Sequence, residues 1–482
     1  AGMFTRSPDE LVEDLRSISQ AEEDEKDAGP VISLIVDGSN LAFSQDEAES
    51  AIRWYDHFLE LVSQNTDWLH VQIPGRIMRT HAPRRRVYAP TTKLDDLMRW
   101  TIPYAADAAG DADDRSPLRS FRSVMETYPE SARLYAKMQH THVLVNQVRG
   151  DKYRKMTARE ELWRGQSHFA YWHNRFGGIY RSSLRKAAYA ALIEAEKTTR
   201  ERGIFIPAVS RVDVDLDGDD EILYQGNEIN AYIHRTGGRL FELDYISRNW
   251  NYLDTFQRRP EIFHDDTTIA AGYDRWPRQA FVDHLLVPGQ DQEAFARGVR
   301  EQVVDLTDLV YELDSLDKDH NSAVLVATGR DERDFAQIVV RKTYRFVKSR
   351  IDVEYHLSNT GMGGIEAEFA VEMNLSFRSL NPGDLRLHMR QGRQRTEISP
   401  DNVASEAVSD LQFLDLANNT VVTLNPSDRP DVWSFPVEAV GILWNRPNWF
   451  YQSNCAVLRW PLTLDPSEER TIAVSLKIER KR

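Results

Sequence analysis

The sequence predicts an α+β protein of several domains, in which a helical middle part precedes a large antiparallel β-sandwich. Apolar residues recur at helical spacing between about residues 116 and 205, and from residue 206 onward they alternate with polar residues. The chain has 482 residues, enough for several domains that each bury a core of their own.

Residues 1–115 have a mixed α/β pattern. Ser7 and Pro8, followed by acidic residues, are typical of a helix start. The run VISLIV at 31–36 is apolar on both faces and ends at Asp37, which predicts a central strand of a parallel sheet. Such a strand needs hydrogen-bonded neighbours, and the nearby sequence has no second run of this kind.

The segment 116–205 is predicted to form a helical domain. Tyr135, Met138, His142 and Val145 fall on one face of a helix, which we expect to be the buried face. A second helical face carries the apolar residues Leu184, Ala188, Ala191, Leu192 and Ala195.

The segment 206–482 is predicted to form a β-sandwich. Ile351, Val353, Tyr355 and Leu357 alternate with polar residues, as the inward-facing residues of a strand do. The same alternation recurs at Ile472, Val474, Leu476 and Ile478. Turn sequences such as LDGDD, NTGMGG and NPGD separate the predicted strands.

The composition argues against two classes of partner, nucleic acids and anionic membranes. A formal net charge of −15 disfavours a broad surface for nucleic acid or for an anionic membrane. The dense basic run Arg84-Arg85-Arg86 is interpreted as a solvated or ion-paired face. Cys455 is the single cysteine, so no intrachain disulfide forms, and we expect a cytoplasmic protein. No apolar run reaches the length of about 18 residues that predicts a spanning helix.

An aromatic stretch is the first candidate binding site. Tyr171, Trp172 and His173 stand side by side, and Gly177-Gly178 follow them. Flat aromatic faces suit the C–H faces of sugars, and a nearby imidazole can hydrogen-bond their hydroxyls. The alternative is a packed helix entry in which the same aromatics belong to the core.

An acidic loop is the second candidate site. Asp213, Asp215 and Asp217 alternate before Gly218, as in the first half of a calcium loop. Tyr224 occupies the position at which an EF-hand has its glutamate, so this is no EF-hand. A structural calcium and a plain acidic hairpin turn both remain open, and we expect no required cofactor.

The stretch QSHFAYWHNRFGGIY resembles glycoside hydrolase family 57, in the branch of 4-α-glucanotransferases and α-amylases. VYAPTTKLDDLMRWTIP, GGRLFELDY and NYLDTFQRRPEIFH resemble further segments of that branch in the same order. The resemblance implies that residues 1–115 are the C-terminal part of a (β/α)7 barrel, residues 116–205 a helical domain and residues 206–482 a β-sandwich. It also implies that Tyr171, Trp172 and His173 hold an α-glucan or maltooligosaccharide.

The same resemblance implies a retaining mechanism with a glutamate nucleophile and an aspartate acid/base. In IVDGSNLAF, Asp37 matches the acid/base, whereas Ser39 and Asn40 replace the glutamate and lysine of the family pattern. Retention needs two carboxyl groups about 5–5.5 Å apart. The resemblance implies that the segment with the nucleophile lies before residue 1, so we expect the nucleophile outside this sequence.

Two functions follow from this pattern. The first is an α-1,4-glucan-active enzyme that is inactive as this chain alone and needs a partner, either a protein with the N-terminal barrel strands or another copy. The alternative is a catalytically degenerate glucan-binding or scaffold protein.

Overall fold

The computed structural model describes residues 6–21, 31–34, 45–80, 121–174, 176–201, 203–261, 263–331, 335–444 and 446–481. The chain divides into two compact units, Ala1–Pro90 and Thr91–Arg482. The predictions for Asp37, for Arg84-Arg85-Arg86 and for the boundary at residues 115 and 116 fall outside the described residues.

Helices dominate the described part of the first unit. They are α1 (Pro8–Ala21), α2 (Gln45–Gln64) and α3 (Pro74–Thr80). The backbone N–H of Glu10 donates to Ser7 Oγ (3.2 Å), and the Ser7 N–H donates to Glu10 Oε2 (3.0 Å). This reciprocal capping box satisfies donors that the first helical turn leaves free, so the predicted helix start is confirmed.

The predicted parallel strand at 31–36 is wrong for the residues that the structure describes. Residues 31–34 have no regular structure, and the side chain of Val31 is 59% exposed, with Ile32 and Leu34 also exposed. A parallel strand needs paired neighbours, and the described elements of this unit are helices. An apolar run therefore did not suffice for a strand here.

The second unit begins with helices. They are α4 (Phe121–Thr127), α5 (Pro129–Gln147), α6 (Lys152–Gly165) and α7 (Ser182–Thr199). Short α8 (Asp266–Ala270) and α9 (Gln292–Ala296) lie within the β-rich part. None of the helices in the described ranges is both long and apolar enough to cross a membrane.

The buried face of α5 differs from the predicted one. Val145 is buried as predicted, but His142 is exposed, whereas Lys137 and Thr141 are buried. Lys137 is buried because it is paired: its Nζ lies 2.6 Å from Asp244, 2.9 Å from Glu242 and 3.3 Å from Glu196. A polar position thus faces inward where carboxylates compensate its charge.

Antiparallel strands make up the rest of this unit. They are β1 (Ala208–Val212), β2 (Glu221–Gln225), β3 (Ile229–His234), β4 (Arg239–Tyr245), β5 (Trp250–Asn251), β6 (Ala280–Leu286), β7 (Gln302–Val304), β8 (Glu312–Asp317), β9 (Ser322–Asp331), β10 (Ala336–Val347), β11 (Arg350–Asn359), β12 (Ile365–Leu375), β13 (Leu385–Gln391), β14 (Gln394–Ile398), β15 (Val403–Ser405), β16 (Asp410–Asp415), β17 (Thr420–Pro426), β18 (Asp431–Leu443), β19 (Arg446–Leu464) and β20 (Glu469–Arg480).

These strands form two large sheets. The first has the order β1-β2-β3-β4-β6-β12-β19-β18-β15, with β5 beside β4 and β7 beside β6. The second has the order β14-β13-β16-β17-β20-β11-β10-β9-β8. A single cluster of buried apolar side chains draws on strands of both sheets. The mixture of helices and antiparallel sheets confirms the predicted α+β class.

The two alternating segments seen in the sequence are hydrogen-bonded neighbours. In β11 and β20, Ile351 pairs with Leu476 and Val353 pairs with Val474. All of these side chains are buried, and the polar residues between them face away from the core. The alternation therefore identified both strands and the face that each buries.

Candidate functional site

The aromatic stretch forms the loop between α6 and α7. Tyr171 enters the core that α5, α6 and α7 share, and its hydroxyl donates to the Gly165 carbonyl (2.6 Å) at the end of α6. This side chain is buried. Of the three predicted binding residues, Tyr171 thus has the contacts of a core residue that holds the loop to the helices.

Two glycines permit the turn that follows. Gly177 and Gly178 both have positive φ, at 104° and 52°. A Cβ on Gly178 would lie 2.8 Å from the Trp172 carbonyl oxygen and 2.9 Å from the Cα of His173. Glycine is required at this position, because both the φ angle and the close backbone approach exclude a side chain.

Asn174 fixes the inside of the same loop. Its Oδ1 accepts the backbone N–H groups of Phe176 (3.0 Å) and Gly178 (3.2 Å). Its Nδ2 donates to the carbonyls of Phe169 and Trp172, both at 3.2 Å. The side chain therefore satisfies polar backbone groups that regular structure leaves unpaired here.

Trp172 is 8% exposed and lies in a small aromatic cluster. Its ring stacks on that of Phe121, with centroids 5.5 Å apart and planes inclined by 6°. The indole Nε1–H is buried and has no hydrogen-bond partner among the described residues. A buried donor of this kind costs free energy unless it finds an acceptor.

His173 is the second member of this cluster. Its Nε2 is buried without a hydrogen-bond partner in the described part of the chain and lies 3.9 Å from Glu261 Oε1. The ring meets that of Tyr128 edge-on, at a centroid distance of 5.0 Å. Burial lowers the pKa of His173 to about 3, so the imidazole is neutral at physiological pH.

Glu261 is the carboxyl group at the base of this site. The hydroxyl of Tyr180 donates to its Oε1 (2.6 Å), and the hydroxyl of Tyr128 donates to both oxygens, at 2.9 and 3.2 Å. Burial raises the pKa of Glu261 to about 8, although these hydrogen bonds and Arg259 act in the opposite direction. The carboxyl group is therefore mostly protonated at neutral pH.

The arrangement of Glu261 suits positioning and not attack on a substrate. The side chain is 1% exposed, and both oxygens are occupied by tyrosine hydroxyls. Sequence reasoning did not select this residue. The available signal was its place in FQRRPEIFH, where a carboxylate stands between aromatic residues that are typical of a core.

The structure brings some of the predicted glucan-binding residues together. Trp172 and His173 share one cluster with Tyr128 and Tyr180, whereas Tyr171 packs among the helices. Asp37 lies outside the described residues, so its role as the acid/base stays a prediction. Both Trp172 and His173 are buried, and glucan contact at this loop also stays a prediction.

The acidic loop connects β1 and β2. Asp215 and Asp217 approach Glu221 and His234, and one ligand atom from each lies within 4.8 Å of the other three. Asp213 is not part of this group, and its Oδ2 accepts the backbone N–H of Gly218 (3.2 Å). The predicted aspartates thus meet two residues, Glu221 and His234, that the spacing of the motif did not indicate.

Two family models match most of the second unit. One, described as "Alpha-amylase/4-alpha-glucanotransferase, middle domain", matches residues 120–199, which include the aromatic loop. The other, described as "Alpha-amylase/4-alpha-glucanotransferase, C-terminal", matches residues 213–272 and 269–476.

Curated relatives of the chain are named either alpha-amylase or 4-alpha-glucanotransferase. The chain is 26% identical to "Alpha-amylase 1" of Dictyoglomus thermophilum over 74% of this chain and 57% of that protein. It is 24% identical to an "Alpha-amylase" of Pyrococcus furiosus, over 80% and 58% respectively. It is also 24% identical to a "4-alpha-glucanotransferase" of Thermococcus kodakarensis, over 68% and 53%. The chain thus spans somewhat more than half the length of these relatives.

A solved structure has a similar fold. The crystal structure of 4-alpha-glucanotransferase from Thermococcus litoralis superposes with a TM-score of 0.69 at 20% identity. The match covers 98% of this chain and 71% of that one.

Proposed function

Because this chain belongs to the α-amylase/4-α-glucanotransferase family, as its aromatic stretch predicted, we propose that it binds α-1,4-glucans at the loop around Trp172. The observation that carries the proposal is the pair of buried ring nitrogens without hydrogen-bond partners, on Trp172 and His173. Sugar hydroxyls both donate and accept, so they would satisfy the indole N–H and the neutral imidazole.

Binding at this loop requires a rearrangement at Phe121. Its ring covers the face of Trp172, and Phe121 is itself 37% exposed at the first turn of α4. We propose that a sugar ring replaces Phe121 against the indole, while Asn174 and Gly178 keep the loop backbone in place. Glu261 and its two tyrosine donors would keep the His173 ring in position.

We propose that catalysis, where it occurs, uses Asp37 as the acid/base of a retaining reaction. Asp37 would protonate the leaving glycosidic oxygen, and a carboxylate on the opposite face would attack the anomeric carbon. We propose that a protein partner carrying the N-terminal barrel strands supplies that nucleophile. Whether water or a second sugar then accepts the glycosyl group decides between hydrolysis and transfer.

The second candidate is a glucan-binding protein without catalysis. Ser39 and Asn40 stand where the family pattern has a glutamate and a lysine, so the immediate environment of Asp37 has changed. A general acid depends on the charges around it for a suitable pKa. Loss of those charges favours a protein that retains the binding loop alone.

Calorimetry with maltooligosaccharides tests the binding proposal. Trp172→Ala should weaken binding by about tenfold or more, since a stacking platform contributes roughly 1–3 kcal/mol. Trp163→Ala, which removes an exposed tryptophan from α6, should leave the affinity unchanged. Phe121→Ala should strengthen binding, because it uncovers the indole face.

Two outcomes would contradict the binding proposal. The first is unchanged affinity in a folded Trp172→Ala variant. The second is weaker binding in Phe121→Ala, which would make Phe121 the contact residue. Trp172→Phe keeps an aromatic face in the core and separates a loss of folding from a loss of binding.

Turnover measured with the single chain separates the two candidate functions. We expect no hydrolysis or transfer by this chain alone, since no glycosyl–enzyme intermediate forms without a nucleophile. Turnover by the single chain that Asp37→Asn abolishes would overturn this expectation.

A further inference from the structure

Four side chains converge where the β1–β2 loop meets the ends of β2 and β3. The pairing of Ile222 with Ile233 places Glu221 and His234 at neighbouring strand ends. The loop that precedes β2 brings Asp215 and Asp217 to the same point, with the ligand atoms of all four within 4.8 Å. The cluster therefore depends on the strand register and not on one flexible segment.

Glu221 has the one fully buried side chain of this cluster. Its Oε2 accepts the backbone N–H groups of Val214 (2.9 Å) and Asp215 (3.4 Å). Its Oε1 is buried and has no hydrogen-bond partner in the described ranges, and the same holds for Asp215 Oδ1. Buried carboxylate oxygens are costly without a donor or a cation, so these two atoms indicate a missing positive ligand.

The charges in the cluster agree with this interpretation. The ligand atoms of Asp215, Asp217 and Glu221 lie within 4.8 Å of one another, so three carboxyl groups crowd one point. A bound cation would remove the repulsion among them.

We propose that Asp215, Asp217 and Glu221 bind one calcium ion at the start of β2. Carboxylate oxygens from a loop and an adjoining strand are the ligands that calcium prefers, and backbone carbonyls and water complete its coordination. The ion would tie the β1–β2 loop to the end of the first sheet.

The hydrogen bonds of His234 favour calcium over zinc. Its Nδ1 accepts the backbone N–H of Thr236 (3.0 Å), so the proton of the neutral ring is assigned to Nε2. That Nε2–H faces Asp217 Oδ2 at 3.1 Å. The nitrogen nearest the carboxylates is thus a donor without a free lone pair, and zinc would need the opposite tautomer. His234 instead orients Asp217.

Titration of the chelator-treated full chain with calcium chloride tests this site. We expect calorimetry to detect one calcium ion per chain and the unfolding temperature to rise with calcium concentration. Glu221→Gln and Asp217→Asn should each weaken calcium binding by about tenfold or more. Asp219→Asn should bind calcium normally, because that exposed loop residue pairs with Arg235 (3.7 Å) outside the cluster.

The stability of the variants without calcium distinguishes lost binding from lost folding. Glu221→Gln should be at least as stable as the wild type in chelator, because it removes one repelling carboxylate. If Glu221→Gln fails to fold, Asp217→Asn decides the test, since that side chain is 42% exposed.

Three outcomes would overturn the proposal. They are no calcium binding by the folded wild type at millimolar concentration, an equal loss of binding in Asp219→Asn, and tighter binding of zinc that His234→Gln abolishes. The last outcome would assign the cluster to a nitrogen-preferring metal.

Discussion

Replacing Glu261 by glutamine should change how the stability of this protein depends on pH. Glutamine keeps the shape of the side chain and an oxygen that accepts the tyrosine hydroxyls, but it cannot ionise. Burial raises the pKa of Glu261 from the ordinary 4.5 to about 8. Between these values the folded protein holds a proton that the unfolded chain has released.

The sign of the effect follows from this difference in proton binding. Stability falls as the pH rises wherever the folded state binds more protons, so the Glu261 carboxyl group destabilises the wild type progressively between about pH 5 and about pH 8. Each pH unit costs up to about 1.4 kcal/mol, which sets a ceiling of about 5 kcal/mol. Relaxation of the protein around the ionised carboxylate makes the actual cost smaller than this ceiling. We therefore expect the free energy of unfolding of Glu261→Gln to exceed that of the wild type by roughly 2 kcal/mol at high pH.

Urea unfolding of the wild type and the variant at about pH 5 and about pH 9 measures this gain. Other buried carboxyl groups, such as Glu242, are present in both proteins. Their contribution to the pH dependence of stability therefore cancels when the two proteins are compared at the same pH. Glu366→Gln, which removes an exposed carboxylate from β12, controls for the change in net charge. A difference between wild type and Glu261→Gln that is the same at both pH values would refute the reasoning.

Two further pairs of substitutions test packing and charge by their unfolding midpoints. Gly178→Ala should destabilise by about 2 kcal/mol or more, because its Cβ would lie 2.8 Å from the Trp172 carbonyl oxygen. Gly203 also has a positive φ, but a Cβ added there would have no heavy atom within 4 Å. Gly203→Ala should therefore cost only about 1 kcal/mol, and an equal loss of stability in the two glycine variants would contradict this. Lys137→Met should cost about 3–5 kcal/mol, whereas Lys197→Met on the surface should cost under about 1 kcal/mol. Similar losses of stability in the two lysine variants would contradict this, because they would mean that the buried carboxylates do not depend on the charge of Lys137.

The sequence predicted the strands well because their chemistry is local. Ile351 and Leu476 lie in alternating segments, and alternation follows directly from the geometry of a strand with one buried face. The start of α1 was equally predictable, because Ser7 and Glu10 form their capping bonds within one turn. In each case the signal and the structure that it indicates involve residues close in sequence.

The sequence failed where distant residues decide the outcome. Lys137 is buried because it pairs with Glu242 and Asp244, about a hundred positions later in the chain. Glu261 receives its donors from Tyr128 and Tyr180, equally far away. Periodicity treats lysine and glutamate as exposed residues, so it cannot identify a charge that long-range pairing makes stable inside.

The same limit applies to the candidate sites. The motif before Gly218 indicated an acidic loop, but Glu221 and His234 join it only through the register of β2 and β3. The sequence pattern indicated the aromatic loop, but it did not indicate that the ring of Phe121 stacks on that of Trp172. Residue types are readable in the sequence, and their exposure depends on the fold.

The position of β20 has a consequence for how the protein is made. This strand is hydrogen-bonded between β17 and β11, in the interior of the second sheet. The ribosome must therefore synthesise the chain to about residue 480 before β11 and β17 gain a shared neighbour. Until then both strands expose open edges, which are prone to pair with other chains. Deletion of Glu469–Arg480 should accordingly prevent folding, because it removes an interior strand and not an edge strand.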